Sequence, residues 1–169
     1  MELESIYKKL QIQDMNQMQK TTYKTTENNT DVVLLSPTGS GKTLAFLFPV
    51  LRSLSKESTG IQALILVPAR ELALQIEQVF KAMGTDFKVS VCYGGHDKKI
   101  EVNNLIEAPA VLIGTPGRVA YHLRNDNFDP KTIKTLVLDD ISAKSNATIA
   151  YFKNNALSVV NENEEIAQV

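Results

Sequence analysis

Residues 36–43 read SPTGSGKT, and they stand between an apolar run, DVVLL at 31–35, and an apolar segment with helical spacing, KTLAFLFPVLRSL at 42–54. Gly39 and Gly41 permit backbone angles closed to other residues, so the chain can turn tightly there. A turn of this kind at the start of a helix converges several N–H groups on one point, where the helix dipole adds positive potential. The stretch therefore demands a strand behind it and a helix ahead of it.

The rest of the chain repeats that order. QALILVP (62–68), FKVSVCY (87–93), AVLIG (110–114) and TLVLD (135–139) read as strands. Between them, RELALQIEQVFKAM (70–83) places Leu72, Ile76, Val79 and Met83 at helical spacing, and Gly84 closes it. DKKIEVNNLIE is a short helix with Ile100 and Leu105 inward, and PGRVAYHLR (116–124) begins a helix with proline in its first turn. Pro49 should kink the helix at 42–54, because its ring opposes the Ala45 carbonyl. Ile149, Phe152, Ala156, Leu157 and Val160 suggest a last amphipathic helix. Such alternation predicts an α/β fold: one parallel β-sheet with helices on both faces, and chemistry at the carboxyl ends of the strands.

With 169 residues the chain is long enough for one domain with a substantial core. Lys and Arg total 18 against 19 Asp and Glu, a net charge of −1, so any nucleic-acid contact must be local or made through backbone groups. The single cysteine, Cys92, excludes an internal disulfide and lies in an apolar stretch, which predicts a buried, inert thiol. No apolar run reaches membrane-spanning length, and the amphipathic start MELESIYKKL has no signal-peptide core, so the simple expectation is a cytoplasmic monomer.

The loop at 36–43 follows the pattern G-x-x-x-x-G-K-[ST] with Ser36 at the first glycine position. Ser36, Pro37, Thr38, Gly39, Ser40 and Gly41 form the cradle. Lys42 would reach the outer phosphates of a bound ATP, and the Thr43 hydroxyl would hold Mg²⁺. A second carboxylate ligand is expected from a neighbouring strand end, and Asp139, directly after Leu136-Val137-Leu138, is the candidate. His96 and His122 have no partner at metal-ligand spacing and are read as non-catalytic.

Several segments together resemble the first RecA-like domain of DEAD-box RNA helicases. SPTGSGKT is similar to that family's motif I, PARELALQ (68–75) to motif Ia with Ala69 where threonine is usual, and Gly94-Gly95 and TPGR (115–118) to the next two motifs in order. The resemblance covers roughly residues 10–140. It implies an ATP- and Mg²⁺-dependent RNA helicase domain whose RNA contacts are Pro68, Arg70, Gly94, Gly95, Thr115, Gly117 and Arg118. Gln19 falls where the family places an adenine-reading glutamine, and a glutamine amide has the donor and acceptor geometry for adenine N6/N7. Arg70 and Arg118 suit backbone phosphates, and the glycines and the helix start at Pro116 can present N–H groups, contacts that read RNA shape rather than sequence. A salt bridge from Arg70 to Glu71 or Asp86 is the plainer alternative.

The resemblance also marks departures. Asp139 matches the metal carboxylate of the Asp-Glu-Ala-Asp motif, but Asp140 stands where a glutamate would position the attacking water, and Ser142 replaces the last aspartate. Lys42, Asp139 and Asp140 remain the catalytic candidates. No Ser-Ala-Thr motif is recognisable, so residues 141–169 are atypical, and the second RecA-like domain, which in the family supplies an arginine finger, is not in this chain. Hydrolysis is expected to be very slow, with a helicase-derived RNA-binding scaffold as the alternative. An unrelated phosphotransferase with the same loop would leave the other motifs unexplained.

Overall fold

A computed structural model describes residues 3–28, 31–37 and 39–139, together with the backbone of a strand at 157–161. Two helices come first, α1 (Leu3–Leu10) and α2 (Gln17–Asn28), and then strands and helices alternate: β1 (Leu34–Leu35), α3 (Lys42–Ser53), β2 (Ala63–Leu66), α4 (Arg70–Ala82), β3 (Val89–Cys92), α5 (Lys98–Ile106), β4 (Val111–Gly114), α6 (Pro116–Arg124), β5 (Thr135–Asp139) and β6 (Leu157–Asn161). The six described strands form one sheet in the order β1-β6-β5-β2-β4-β3. Every pairing in it is parallel.

Alternation of side chains along each strand divides the core into two layers. Ala63, Ile65, Val67, Val111, Ile113 and Val137 face one side, where they meet Phe46, Phe48 and Leu51 of α3, Ile76 and Phe80 of α4 and Ile6 of α1. Leu64, Leu66, Leu112, Leu136 and Leu138 face the other, against Leu105 of α5 and Val119 and Leu123 of α6. The central strands are therefore apolar at every position because both of their faces are buried, as the continuous runs at 62–68 and 110–114 imply. Helices cover both faces, and the expected architecture holds.

Three details differ from the expectations. Leu157 and Val160, assigned above to an amphipathic helix, lie in a strand, β6, whose partners are β1 and β5; the part of that assignment at 149–156 lies outside the described residues. A short apolar run such as LSVV suits strand or helix equally, and the backbone donors and acceptors left between β1 and β5 decide the matter. Ile100 is 49 % exposed, so only Leu105 of the expected inward pair on α5 is buried. The first strand is shorter than DVVLL suggested, although Val32 is buried just before it. Helix α3 continues through Pro49. No described helix is long and apolar enough to cross a membrane.

Candidate nucleotide and RNA site

In a parallel sheet all carboxyl strand ends lie on one edge. That edge carries Ser36 after β1, Pro68 after β2, Tyr93 to Gly95 after β3, Thr115 after β4 and Asp139 at the end of β5. The register pairs Leu35 with Asn161 and Asp139 with Val160, so the backbone of Asn161 reaches the same edge between the first loop and Asp139. Asn161 was missed in the sequence because its segment was read as helix.

The loop adopts the conformation its glycines allow. Gly39 has φ +80° and Gly41 has φ +93°. Gly41 is the N-cap of α3 and no side chain caps that helix, so the first-turn amides point into the loop, as an anion site needs. Inside the turn, the Ser36 and Ser40 hydroxyls hydrogen-bond to each other. Ser36 is only 4 % exposed, so its hydroxyl occupies space where a first glycine would leave none filled. Thr38 lies outside the described residues.

Gln19 is held against this loop by two sets of bonds. Its Oε1 accepts from the Asn16 amide at 2.9 Å, and its own amide donates to Asn16 Oδ1 at 2.9 Å. This reciprocal pair is a capping box at the start of α2, with Asn16 as N-cap. Gln19 Nε2 donates to the Gly41 carbonyl at 3.2 Å, and Asn16 Nδ2 to the Ser40 carbonyl at 3.0 Å. The side chain keeps one donor and one acceptor in reserve, at 5 % exposure. The N-x-x-Q spacing was a signal for Asn16 that the sequence reading did not use.

Asp139 is 6 % exposed at the end of β5. A hydroxyl from Thr43 and a carboxylate from Asp139 are hard oxygen donors of the kind Mg²⁺ takes. Magnesium characteristically uses one or two protein carboxylates and completes its shell with water and phosphate. The donor set fits that ion. Asp140, the remaining catalytic candidate, lies outside the described residues.

Along the rest of the edge, Pro68, Gly94, Gly95 and Gly117 are exposed, and Thr115 is half-buried. Thr115 is the N-cap of α6 and its hydroxyl makes no cap bond, so the amides at the start of α6 are not covered by it. Gly114, on β4, leaves room for neighbours on β3 and α6: a Cβ there would come within 2.5 Å of Cys92 Sγ and 2.7 Å of Val119 Cγ2. Arg70 is exposed and pairs with Glu71 at 3.1 Å, while Asp86 pairs with Lys56 instead. Arg70 also lies 5.9 Å over the Tyr93 ring.

Arg118 is held by several protein partners. Its side chain is 9 % exposed and its Nε lies 3.1 Å from Glu101. It also donates to the carbonyls of Tyr93 at 3.0 Å and His96 at 2.5 Å. With Nε and one Nη engaged by these partners, the guanidinium is largely covered by protein. His122 is fully buried against Glu101 at 2.8 Å. His96 Nδ1 lies 3.1 Å from the other oxygen of the same carboxylate. Among the described residues no cluster of His, Cys, Asp and Glu is arranged to hold a metal ion. Glu101 escaped sequence reading altogether, since nothing in a helix reading KKIEVNNLI separates a buried glutamate from a solvated one.

Comparison with known proteins places this geometry. The DEAD/DEAH box helicase profile matches residues 16–161. The chain belongs to the DEAD/DEAH box helicase family. The match runs through β6, beyond the region near residue 140 where the recognisable motifs stop. Among curated relatives, the ATP-dependent RNA helicase CshA of Limosilactobacillus reuteri is 40% identical over 112 residues, 65% of this chain and 22% of that protein. The DEAD-box ATP-dependent RNA helicase CshC of Bacillus cereus is 36% identical over 140 residues, 82% of this chain and 36% of its own length. Among solved structures, the yeast DEAD-box splicing factor Prp28 superposes with a TM-score of 0.84 at 27% identity, over 96% of this chain and 44% of that one. This DEAD-box chain thus corresponds to the N-terminal RecA-like domain and spans 22% to 44% of the length of these three proteins.

Proposed function

We propose that this chain is the N-terminal ATP- and RNA-binding domain of an ATP-dependent RNA helicase of the DEAD-box type. The observation that carries the reading is the gathering of the loop at 36–43, Asp139, Pro68, Gly94-Gly95 and Thr115 on one edge of a parallel sheet. The relatives named as RNA helicases support it.

In this reading ATP lies on the loop between β1 and α3. First-turn amides of α3 and the Lys42 ammonium hold its phosphates, and Thr43 with Asp139 holds Mg²⁺. The metal, when bound, would offset the charge of the phosphates. The reserve donor and acceptor of Gln19 suit the adenine edge. Asp140 would orient water less well than a glutamate, being one methylene shorter, and a shift of about 1 Å can cost roughly a hundredfold in rate. An arginine finger from a second RecA-like domain would contribute about 10³–10⁵. The chain alone is therefore a slow or silent hydrolase. RNA lies along the edge through backbone contacts to Pro68, Arg70, Gly94, Gly95, Thr115 and Gly117. Two features, Asp140 and Ser142 in the altered motif, favour a second reading, an RNA-binding scaffold that no longer hydrolyses ATP.

Lys42→Ala should weaken binding of a fluorescent ADP analogue with Mg²⁺ at least tenfold, about 1.4 kcal/mol, in fluorescence anisotropy. Unchanged affinity would overturn the nucleotide site. Joining a second RecA-like domain to the chain with Asp140→Glu and Ser142→Asp separates the two readings. RNA-stimulated hydrolysis supports the helicase, and continued silence supports the scaffold.

A further inference from the structure

Glu101 is a buried carboxylate with four polar neighbours, and no motif accounts for it. It sits on α5 with 1 % exposure. One oxygen accepts from the Tyr93 amide at 3.0 Å and faces His96 Nδ1 at 3.1 Å. The other faces Arg118 Nε at 3.1 Å and His122 Nε2 at 2.8 Å. Asn127 Nδ2 lies 2.9 Å from His122 Nδ1, which sets that nitrogen as acceptor and leaves the proton on Nε2, directed at Glu101. A buried carboxylate is tolerated only when its lone pairs are satisfied in this way.

The partners come from two places. Tyr93 and His96 flank Gly94-Gly95, while Arg118 and His122 belong to α6, whose first turn carries Thr115 and Gly117. Arg118 closes the ring by donating to the Tyr93 and His96 carbonyls. The two-glycine turn is thereby held at both flanks. Gly94 and Gly95 themselves have nothing within 4 Å of a notional Cβ, so the turn faces open space with its shape imposed from behind.

We propose that Glu101 is a positioning residue. Through Arg118 it locks the turn at 93–96 and the start of α6 into one rigid unit, which presents backbone amides to consecutive phosphates of an RNA strand. The proposal rests on the RNA-binding reading above and deepens it, and it gives Arg118 an indirect part. Preorganised amides bind without an ordering cost, whereas a loose two-glycine turn must be ordered by the ligand.

The test compares Glu101→Gln, Arg118→Ala and a stability control on the opposite face of the sheet, Phe80→Leu, in the full chain. Amide hydrogen exchange is followed together with anisotropy of a labelled oligouridylate over a salt series. Glu101→Gln and Arg118→Ala should accelerate exchange at 93–96 and 115–118 together and weaken oligouridylate binding at least tenfold. Mg²⁺–ADP affinity should stay as in the wild type. The slope of log affinity against log salt should also stay unchanged, since neither side chain touches a phosphate. Phe80→Leu should do none of this. Loss of a direct phosphate contact in Arg118→Ala would instead lower the slope by about 0.7 and overturn the proposal. So would exchange that changes in only one of the two segments or in neither, or an RNA loss in Phe80→Leu as large as in Glu101→Gln. If the wild-type chain fails to bind oligouridylate, the RNA reading falls, and exchange alone still decides whether Glu101 couples the two segments. Should Glu101→Gln not fold, Arg118→Lys keeps the charge but cannot span all three acceptors, and the same paired exchange signature is expected of it.

Discussion

The side-chain amide of Gln19 donates to the main-chain carbonyl of Gly41 at 3.2 Å, tying the first turn of α2 to the N-cap of α3 within the phosphate loop. The bond leaves no room at Gly41, where a Cβ would lie 2.7 Å from Gln19 Nε2 on a backbone with φ +93°. An alanine there strains the backbone by about 1–2 kcal/mol and displaces Gln19. Gly41→Ala should therefore lower stability by at least that amount in urea denaturation, and weaken the binding of Mg²⁺–ADP at least tenfold. An alanine variant with wild-type affinity would separate Gln19 from the nucleotide site.

Helix α4 begins without a cap. Ala69 is its N-cap, in extended conformation with φ −136° and ψ 151°, and accepts the first helical bond from Ala73 at 3.2 Å. Its methyl group leaves the first-turn amides without a side-chain acceptor. Ala69→Ser or Ala69→Thr should stabilise the chain by about 1 kcal/mol, which corresponds to roughly 2–4 °C in Tm. Scanning calorimetry reads this directly, and an unchanged or lower Tm would contradict the cap geometry.

Cys92 is 1 % exposed. Burial pushes its thiol well above the usual range, the Glu101 charge adds to the shift, and Arg118 opposes it. A raised pKa keeps the thiol protonated, and the thiolate is the reactive form. Iodoacetamide in mildly alkaline buffer should leave the native chain unmodified by mass spectrometry and alkylate it fully once denatured. Rapid native alkylation would mean that β3 opens far more readily than its packing indicates.

Much of this protein could be read from its residues in order. Continuous apolar runs at 62–68 and 110–114 announced strands buried on both faces, the helical spacing of Leu72 to Met83 marked α4, and Pro116 marked the start of α6. SPTGSGKT specified a turn and a helix start at once, the geometry that the proposed anion site needs. These features are local, because backbone angles, helix ends and one-dimensional burial depend on neighbours within a few residues.

Other features belong to the assembled fold. LSVV at 157–160 became a strand because β1 and β5 left a row of backbone groups to be paired, a vacancy that exists only in three dimensions. Ile100 points to solvent although its spacing suited a core. Arg118 is paired with Glu101, 17 positions before it in sequence, because that buried charge needs donors where water cannot reach. The sequence by itself determined the parallel α/β sheet and the loop that can hold phosphates. Only tertiary structure decided which polar side chains are held among other protein groups, since satisfying a buried carboxylate takes donors from elements that are far apart along the chain.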